Sequence, residues 1–310
     1  MFQESTIPSR ALEYPKKRHE EATAEDFLES YGAICALERE VLAKALNLPA
    51  HKLTPSYLAS HLQAENGDRL LSKIDRILNS EHNGPYIEKC VELSEHAPAL
   101  LRDEHSRSYV TDLAREGIMS GLIQAFLDTK KLPWDMRQAY KAREIRFNDH
   151  IVDLVDSQYG EQLGITRGDL RHIIRAAYGP HDAHATINAD MLEAGLAVEI
   201  ATKKYMETAE SAEGLSVRYG SADEDKRGGD IICQNGEKTL IVDVKSGDKN
   251  ETEPEDARPF HTPLIEEAPN VYKIRQLHPA SHRAIGENFE IKAGGYKREI
   301  DSVFAEFAAA

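Results

Sequence analysis

Two hydrophobic rhythms run along this chain. Through the first half, apolar side chains return every three or four residues, the spacing that gathers them on one side of an α-helix. From Ala24 to Asn47 the stripe holds Phe27, Tyr31, Ile34, Cys35, Leu37, Val41, Leu42 and Leu46. The same period predicts helices over about 69–78, 86–93, 109–127 and 134–158, with breaks at Asn83-Gly84-Pro85, Leu132-Pro133 and Tyr159-Gly160. Leu53-Thr54-Pro55-Ser56 looks like a cap before another short helix, and Thr166 caps a helix that carries Leu170, Ile173 and Ile174. Residues 184–210 are again helical, with Ile187, Met191, Ala194, Val198, Ala201 and Tyr205 as the expected buried stripe.

Between Gly228 and Lys245 the period drops to two. Ile231, Cys233, Leu240, Val242 and Val244 then share one face, while Asp230, Asp243 and Lys245 share the other. Asn235-Gly236 predicts a two-residue hairpin turn. Pairing outward from it sets Gln234 opposite Glu237, Ile232 opposite Thr239 and Asp230 opposite Ile241. A further strand is expected at 288–292 and a closing helix at 297–307. The fold class is α/β in the α+β sense, with a helical region over 1–160 and a core of mixed sheet and flanking helices over 161–310.

On that register Asp230 and Asp243 are diagonal neighbours, roughly 7–8 Å apart at Cα. Ionised carboxylates that close repel unless a cation lies between them. Mg²⁺ takes one or two carboxylates together with water and phosphate oxygens, so Asp230 and Asp243 are the candidate ligands, with the carbonyl of Val244 as a third. Lys245, on the same face, would orient or help deprotonate an attacking water. An ordinary surface hairpin with a cross-strand charge set would show the same residue types. Acid-x-Lys triplets also occur at Asp128-Thr129-Lys130, Glu224-Asp225-Lys226 and Glu290-Ile291-Lys292. Asp243-Val244-Lys245 differs from them in closing an apolar strand and facing a second acid.

Gly229-Asp230 followed by Asp243-Val244-Lys245 resembles the PD-(D/E)XK nuclease superfamily, which includes many type II restriction endonucleases; the likeness covers roughly residues 184–246. Gly229 stands where the pattern has proline. The resemblance implies a restriction-endonuclease-like sheet, a Mg²⁺-dependent endonuclease acting on double-stranded DNA, and a homodimer that cuts both strands. It also implies a glutamate on the helix before the first core strand. At about 100° per residue, Glu199 falls at the edge of the apolar stripe beside Leu192 and Met206, with Gly195 one turn earlier. It is the acid best placed to tune the site or hold a second ion, although a boundary glutamate reaching solvent fits the pattern equally. Glu193 and Glu207 point elsewhere.

Composition then qualifies the substrate. The 310 residues and 41% hydrophobic content allow a substantial core, and Cys35, Cys90 and Cys233 lack disulfide or metal spacing, pointing to a reducing, cytoplasmic setting. Met1 to Ser5 has no apolar signal core, and no run reaches the ~18 apolar residues of a membrane span. A net charge of −15 opposes nucleic-acid binding, but 1–150 carries −4 of it and 151–310 carries −11, so a local basic groove is still possible. The candidate groove holds Lys130, Lys131, Arg137, Lys141, Arg143 and Arg146 among Trp134, Tyr140 and Phe147; two acids leave that segment at +4. Arg171 and Arg175 could touch phosphate if their helix belonged to a helix-turn-helix. A second basic region, from Lys273 through Arg275 to Arg298, could line the DNA path or be ordinary surface charge. His181 and His184 suit helix capping around Asp182 better than zinc. The acidic stretch from about 247 to 270 reads as a long loop near the site. Besides restriction, the same core would serve a nonspecific or partner-dependent nuclease of repair, phage defence or toxicity. A non-catalytic DNA-binding module with a vestigial hairpin is the reading from another class.

Overall fold

The computed structural model describes residues 23–53, 67–78, 104–127, 134–179, 183–225, 228–245, 265–277 and 284–310. Six helices open the described chain: α1 (Ala24–Leu46), α2 (Gly67–Leu78), α3 (Glu104–Leu127), α4 (Trp134–Asp156), α5 (Gln158–Leu163) and α6 (Arg167–Tyr178). Capping boxes begin α1 and α6: Thr23 and Thr166 each accept from the N–H of an Asp three residues on, and that Asp accepts in return. Asn47, at φ 56°, ends α1 in a left-handed cap. The expected helix at 86–93 and the cap at 54–56 lie outside the described residues.

Two glycines set how closely α3 crosses its neighbours. A Cβ on Gly117 would come within 2.6 Å of the Ala177 Cβ and 2.7 Å of the Phe147 ring, and one on Gly121 within 3.0 Å of the Tyr178 Cα. Glycine inside a helix costs about 1 kcal/mol relative to alanine. Close packing against α6 and α4 offsets that cost, and Phe147 and Ile173 are fully buried there.

Helix α7 (Ala183–Thr208) joins this layer to the sheet. Val198 and Ala201 are buried as expected, but Ile187 and Met191 are 55% and 68% exposed. The helix instead buries Ala189, Leu196, Ala197, Ile200 and Met206 together with the polar Glu193, Thr202 and Lys203. Lying between α6 on one side and the sheet on the other, it has more than one inward face, and part of what it buries is ionic. A single apolar stripe cannot describe it.

The sheet comprises β1 (Ser216–Tyr219), β2 (Ile231–Asn235), β3 (Lys238–Val244), β4 (Ile265–Ala268) and β5 (Val271–Leu277), in the order β1-β2-β3-β5-β4. All neighbours are antiparallel except β3 and β5, which are parallel. Helix α8 (Ala222–Asp225) lies between β1 and β2, and α9 (Gly294–Ala309) follows the sheet. Three expectations are corrected here. The hairpin pairs Asn235 with Lys238 and Gln234 with Thr239, so its turn residues are Gly236 and Glu237. Of these only Gly236 has positive φ, 60°, the requirement of a II′ rather than an I′ turn. The end of the supposed acidic loop is strand β4. Residues 288–292 contribute only a single bridge, Ile285 to Ile291, and no full strand.

The two-residue change in register leaves every side chain on its expected face, because the pleat repeats every two residues. Ile231, Cys233, Leu240 and Val242 are fully buried. The Tyr272 and Phe307 rings meet edge to face at 5.7 Å where α9 packs on β5. One buried cluster thus runs from Phe27 on α1 to Phe307 on α9, through both the helical layer and the sheet. Each large side chain in it contributes about 1.5–3 kcal/mol. The fold is mixed α/β, consistent with α+β. Among the described residues no helix is long and apolar enough to cross a membrane.

Candidate active site

The acid pair is built by a turn and a strand end. Asp230 occupies the bend before β2; its N–H donates to the Val242 carbonyl at 3.0 Å, and its Oδ2 accepts from the Val244 N–H at 2.6 Å. The bend depends on glycine. Gly228 has φ 81°, and a Cβ on Gly229 would lie 3.1 Å from both the Glu224 carbonyl and the Ile241 side chain. Arg218 clamps α8 below this turn with a two-pronged hydrogen bond to Glu224, both contacts at 2.9 Å. Continuing the β2–β3 register brings Asp230 level with Asp243, a closer approach than the diagonal first expected.

Lys245 makes a close ion pair with Asp243 Oδ1. That oxygen is buried and has no contact of hydrogen-bond geometry among the described residues. Asp230 is pushed up to about 7, mainly by burial and further by Asp243 and Asp225, against the pull of the Val244 N–H and Lys245. Burial works against the Lys245 ammonium, but Asp243 and Asp230 outweigh it and raise its pKa. Glu199 is held well above the carboxylate range by burial, then by Asp230, Asp225 and Asp149, with Lys245 opposing. Asp230, Asp243, Lys245 and Glu199 therefore share one electrostatic site.

Two acids in that field escaped the sequence reading. Asp149, near the end of α4, is pushed up to about 7 by burial and then by Asp225. Asp225 closes α8 and acts on Asp149, Glu199 and Asp230. Its signal was present in Glu224-Asp225-Lys226, immediately ahead of Gly228-Gly229-Asp230, but the triplet looked like background. Asp149 has no one-dimensional signal, since only the packing of α4 brings it near. Glu193, expected to point away from the buried stripe, is itself buried and pairs with Arg167 at 2.6 Å, while Glu207 pairs with Lys203 at 2.7 Å.

Among the described residues no three His, Cys, Asp or Glu side chains stand close enough to cage a metal ion. Two facing carboxylates, Asp230 before β2 and Asp243 near the end of β3, fit a hard ion that keeps several waters, the habit of Mg²⁺ rather than of zinc. Asp230 and Asp243 would hold it, with the Val244 carbonyl beside them.

The candidate DNA contacts are scattered. Lys130 and Lys131 lie outside the described residues, and Arg137, Lys141 and Arg143 are on α4. Arg146, also on α4, is exposed. Arg171 pairs with Glu193 at 3.2 Å and Arg175 with Asp190 at 2.7 Å, tying α6 to α7. His181 lies outside the described residues. Comparison of the chain with family models, curated proteins and solved structures finds no match.

Proposed function

We propose that this chain is a Mg²⁺-dependent endonuclease of the PD-(D/E)XK kind that hydrolyses double-stranded DNA, a type II restriction enzyme in its simplest form. The observation that carries the reading is the meeting of Asp230, Asp243 and Lys245 at one strand end, with Glu199 arriving from the preceding helix. A bound Mg²⁺ would polarise the scissile phosphate and stabilise the leaving oxygen. The raised pKa of Lys245 gives it a definite part. Asp243 and Asp230 favour its ammonium form, in which it would orient the attacking water and the phosphate by donating hydrogen bonds. The Val244 N–H fixes the Asp230 carboxylate in place. Burial and the neighbouring acids favour the protonated form of Glu199, in which it would donate a hydrogen bond. A homodimer acting on both strands in the cytoplasm completes the proposal.

The test is incubation of purified protein with long duplex DNA, with Mg²⁺, with EDTA and with Lys245→Ala. Discrete Mg²⁺-dependent fragments lost in the variant support the restriction reading. A Lys245-dependent smear moves the assignment to a nonspecific or partner-dependent nuclease. No cleavage of duplex or single-stranded DNA leaves a DNA-binding module with a vestigial hairpin.

A further inference from the structure

Lys273 stands on β5, the parallel neighbour of the strand that ends in Asp243. Its partner in the β3–β5 register is Ile241, two residues before Asp243, so Lys273 projects from the face that carries the acid. Its side chain is only 20% exposed, and Glu267 Oε1 lies 3.8 Å from its ammonium, the long limit of an ion pair.

Gly228 shows where that ammonium reaches. A Cβ built there would lie 3.5 Å from Asp243 Oδ2 and 3.8 Å from Lys273 Nζ. Lys273 and Asp243 thus border one small space, and it is open because residue 228, at φ 81°, carries no side chain. Lys245 approaches the same carboxylate at its other oxygen, Oδ1. Asp243 is bracketed by two lysines, one on each side.

A phosphodiester presents two nonbridging oxygens, and the Lys245 ammonium is already engaged with Asp243. We propose that Lys273 is a second phosphate-holding residue: its ammonium takes a nonbridging oxygen of the DNA backbone in the space over Gly228, across Asp243 from Lys245. The inference rests on the nuclease reading above. Lys273 is a positioning residue and makes or breaks no bond. An ammonium on a flexible stem can meet a single phosphate oxygen as a point charge. The competing role is structural, neutralising Asp243 without touching substrate.

The test uses the full chain and three proteins: wild type, Lys273→Met, which keeps the aliphatic stem, and Lys273→Arg, which keeps the charge. Binding to a fluorescent duplex is measured in EDTA across a salt series, and Mg²⁺-dependent cleavage of long duplex DNA is measured in parallel. The expected result for K273M is a roughly tenfold higher KM, a smaller change in kcat and a log–log salt slope shallower by about 0.9, one phosphate contact. K273R should recover the slope. A K273M protein with wild-type slope and wild-type KM overturns the assignment, as does a loss of kcat with slope and KM intact. Wild type that binds without cutting, with the slope still dependent on Lys273, defeats the nuclease reading and leaves the phosphate contact standing. Wild type that neither binds nor cuts defeats both.

Discussion

Two charged sets among the described residues are arranged in opposite ways. Between α6 and α7, Arg167, Arg171 and Arg175 face Glu193 and Asp190. Arg167 also donates to the Ile285 carbonyl at 2.9 Å, binding the segment before α9 into the same knot. Cations and anions there nearly match. At the end of β3, Asp149, Asp225, Glu199, Asp230 and Asp243 share a field with Lys245, and burial and mutual repulsion push three of the acids up. A balanced set holds a fold together. An unbalanced one is held in place by the fold, and on the nuclease proposal a cation or substrate would offset its charge.

Breaking the balanced set should cost the most. Glu193→Ala removes the partner of Arg167, which is 6% exposed, and leaves a buried guanidinium without its carboxylate. The expected loss is about 3–5 kcal/mol in urea unfolding, with α6 and α7 loosening together. A loss under about 1 kcal/mol would mean that Arg167 finds water on relaxing, and the contrast between the two regions would weaken.

The opposite substitution, in the unbalanced set, should stabilise. Asp230→Asn keeps an acceptor for the Val244 N–H but removes one of the crowded charges, so the metal-free protein at pH 8 should gain on the order of 1 kcal/mol, read as a higher melting temperature. Mg²⁺-dependent cleavage should fall sharply in the same protein.

The pH dependence follows from the same imbalance. Asp149, Asp230 and Glu299 each titrate near 7, above their unfolded values. The folded state therefore binds more protons than the unfolded state between about pH 4 and 7, and stability falls as pH rises through that window. His150 is also raised, by Glu116 against the effect of burial, so its contribution is present below its unfolded pKa and is likewise lost on raising the pH. Glu224, held down at about 2 by Arg218, supplies a shallow acid limb below pH 4.5. In EDTA the melting temperature should peak at about pH 4, and D230N should flatten the descending side. A maximum at pH 8 would show that the acids are not crowded in solution.

Alternation, a strand-end acid and a facing acid were enough to find Asp230, Asp243 and Lys245 in the sequence, because a period of two assigns faces even when the register is off by two. Helix spacing left Glu199 open between the site and solvent, and packing puts it in the field of Asp230. Asp149 has no signal in the sequence, Asp225 stands in a triplet like several others, and Lys273 stands in a basic stretch that could line a DNA path but is tied to Asp243 only by the pairing of β5 with β3. Ile187 and Met191 were misplaced for a related reason. A helix that buries Glu193 and Lys203 does not advertise its inward face by hydropathy.

The smallest effect belongs to Arg175, and it sharpens the comparison from the rim of the balanced set. Its ammonium-like charge could serve phosphate, yet Nη2 donates to Asp190 at 2.7 Å across a pair that is 40% and 48% exposed. Such pairs contribute roughly 0–1 kcal/mol. Arg175→Ala should therefore leave the melting curve nearly unchanged and, with the guanidinium already turned toward α7, leave the salt slope of DNA binding unchanged as well. A slope shallower by about 0.9 would place Arg175 on the backbone and extend the DNA path onto α6. The charge on that face would then belong to the substrate interface as well as to the fold.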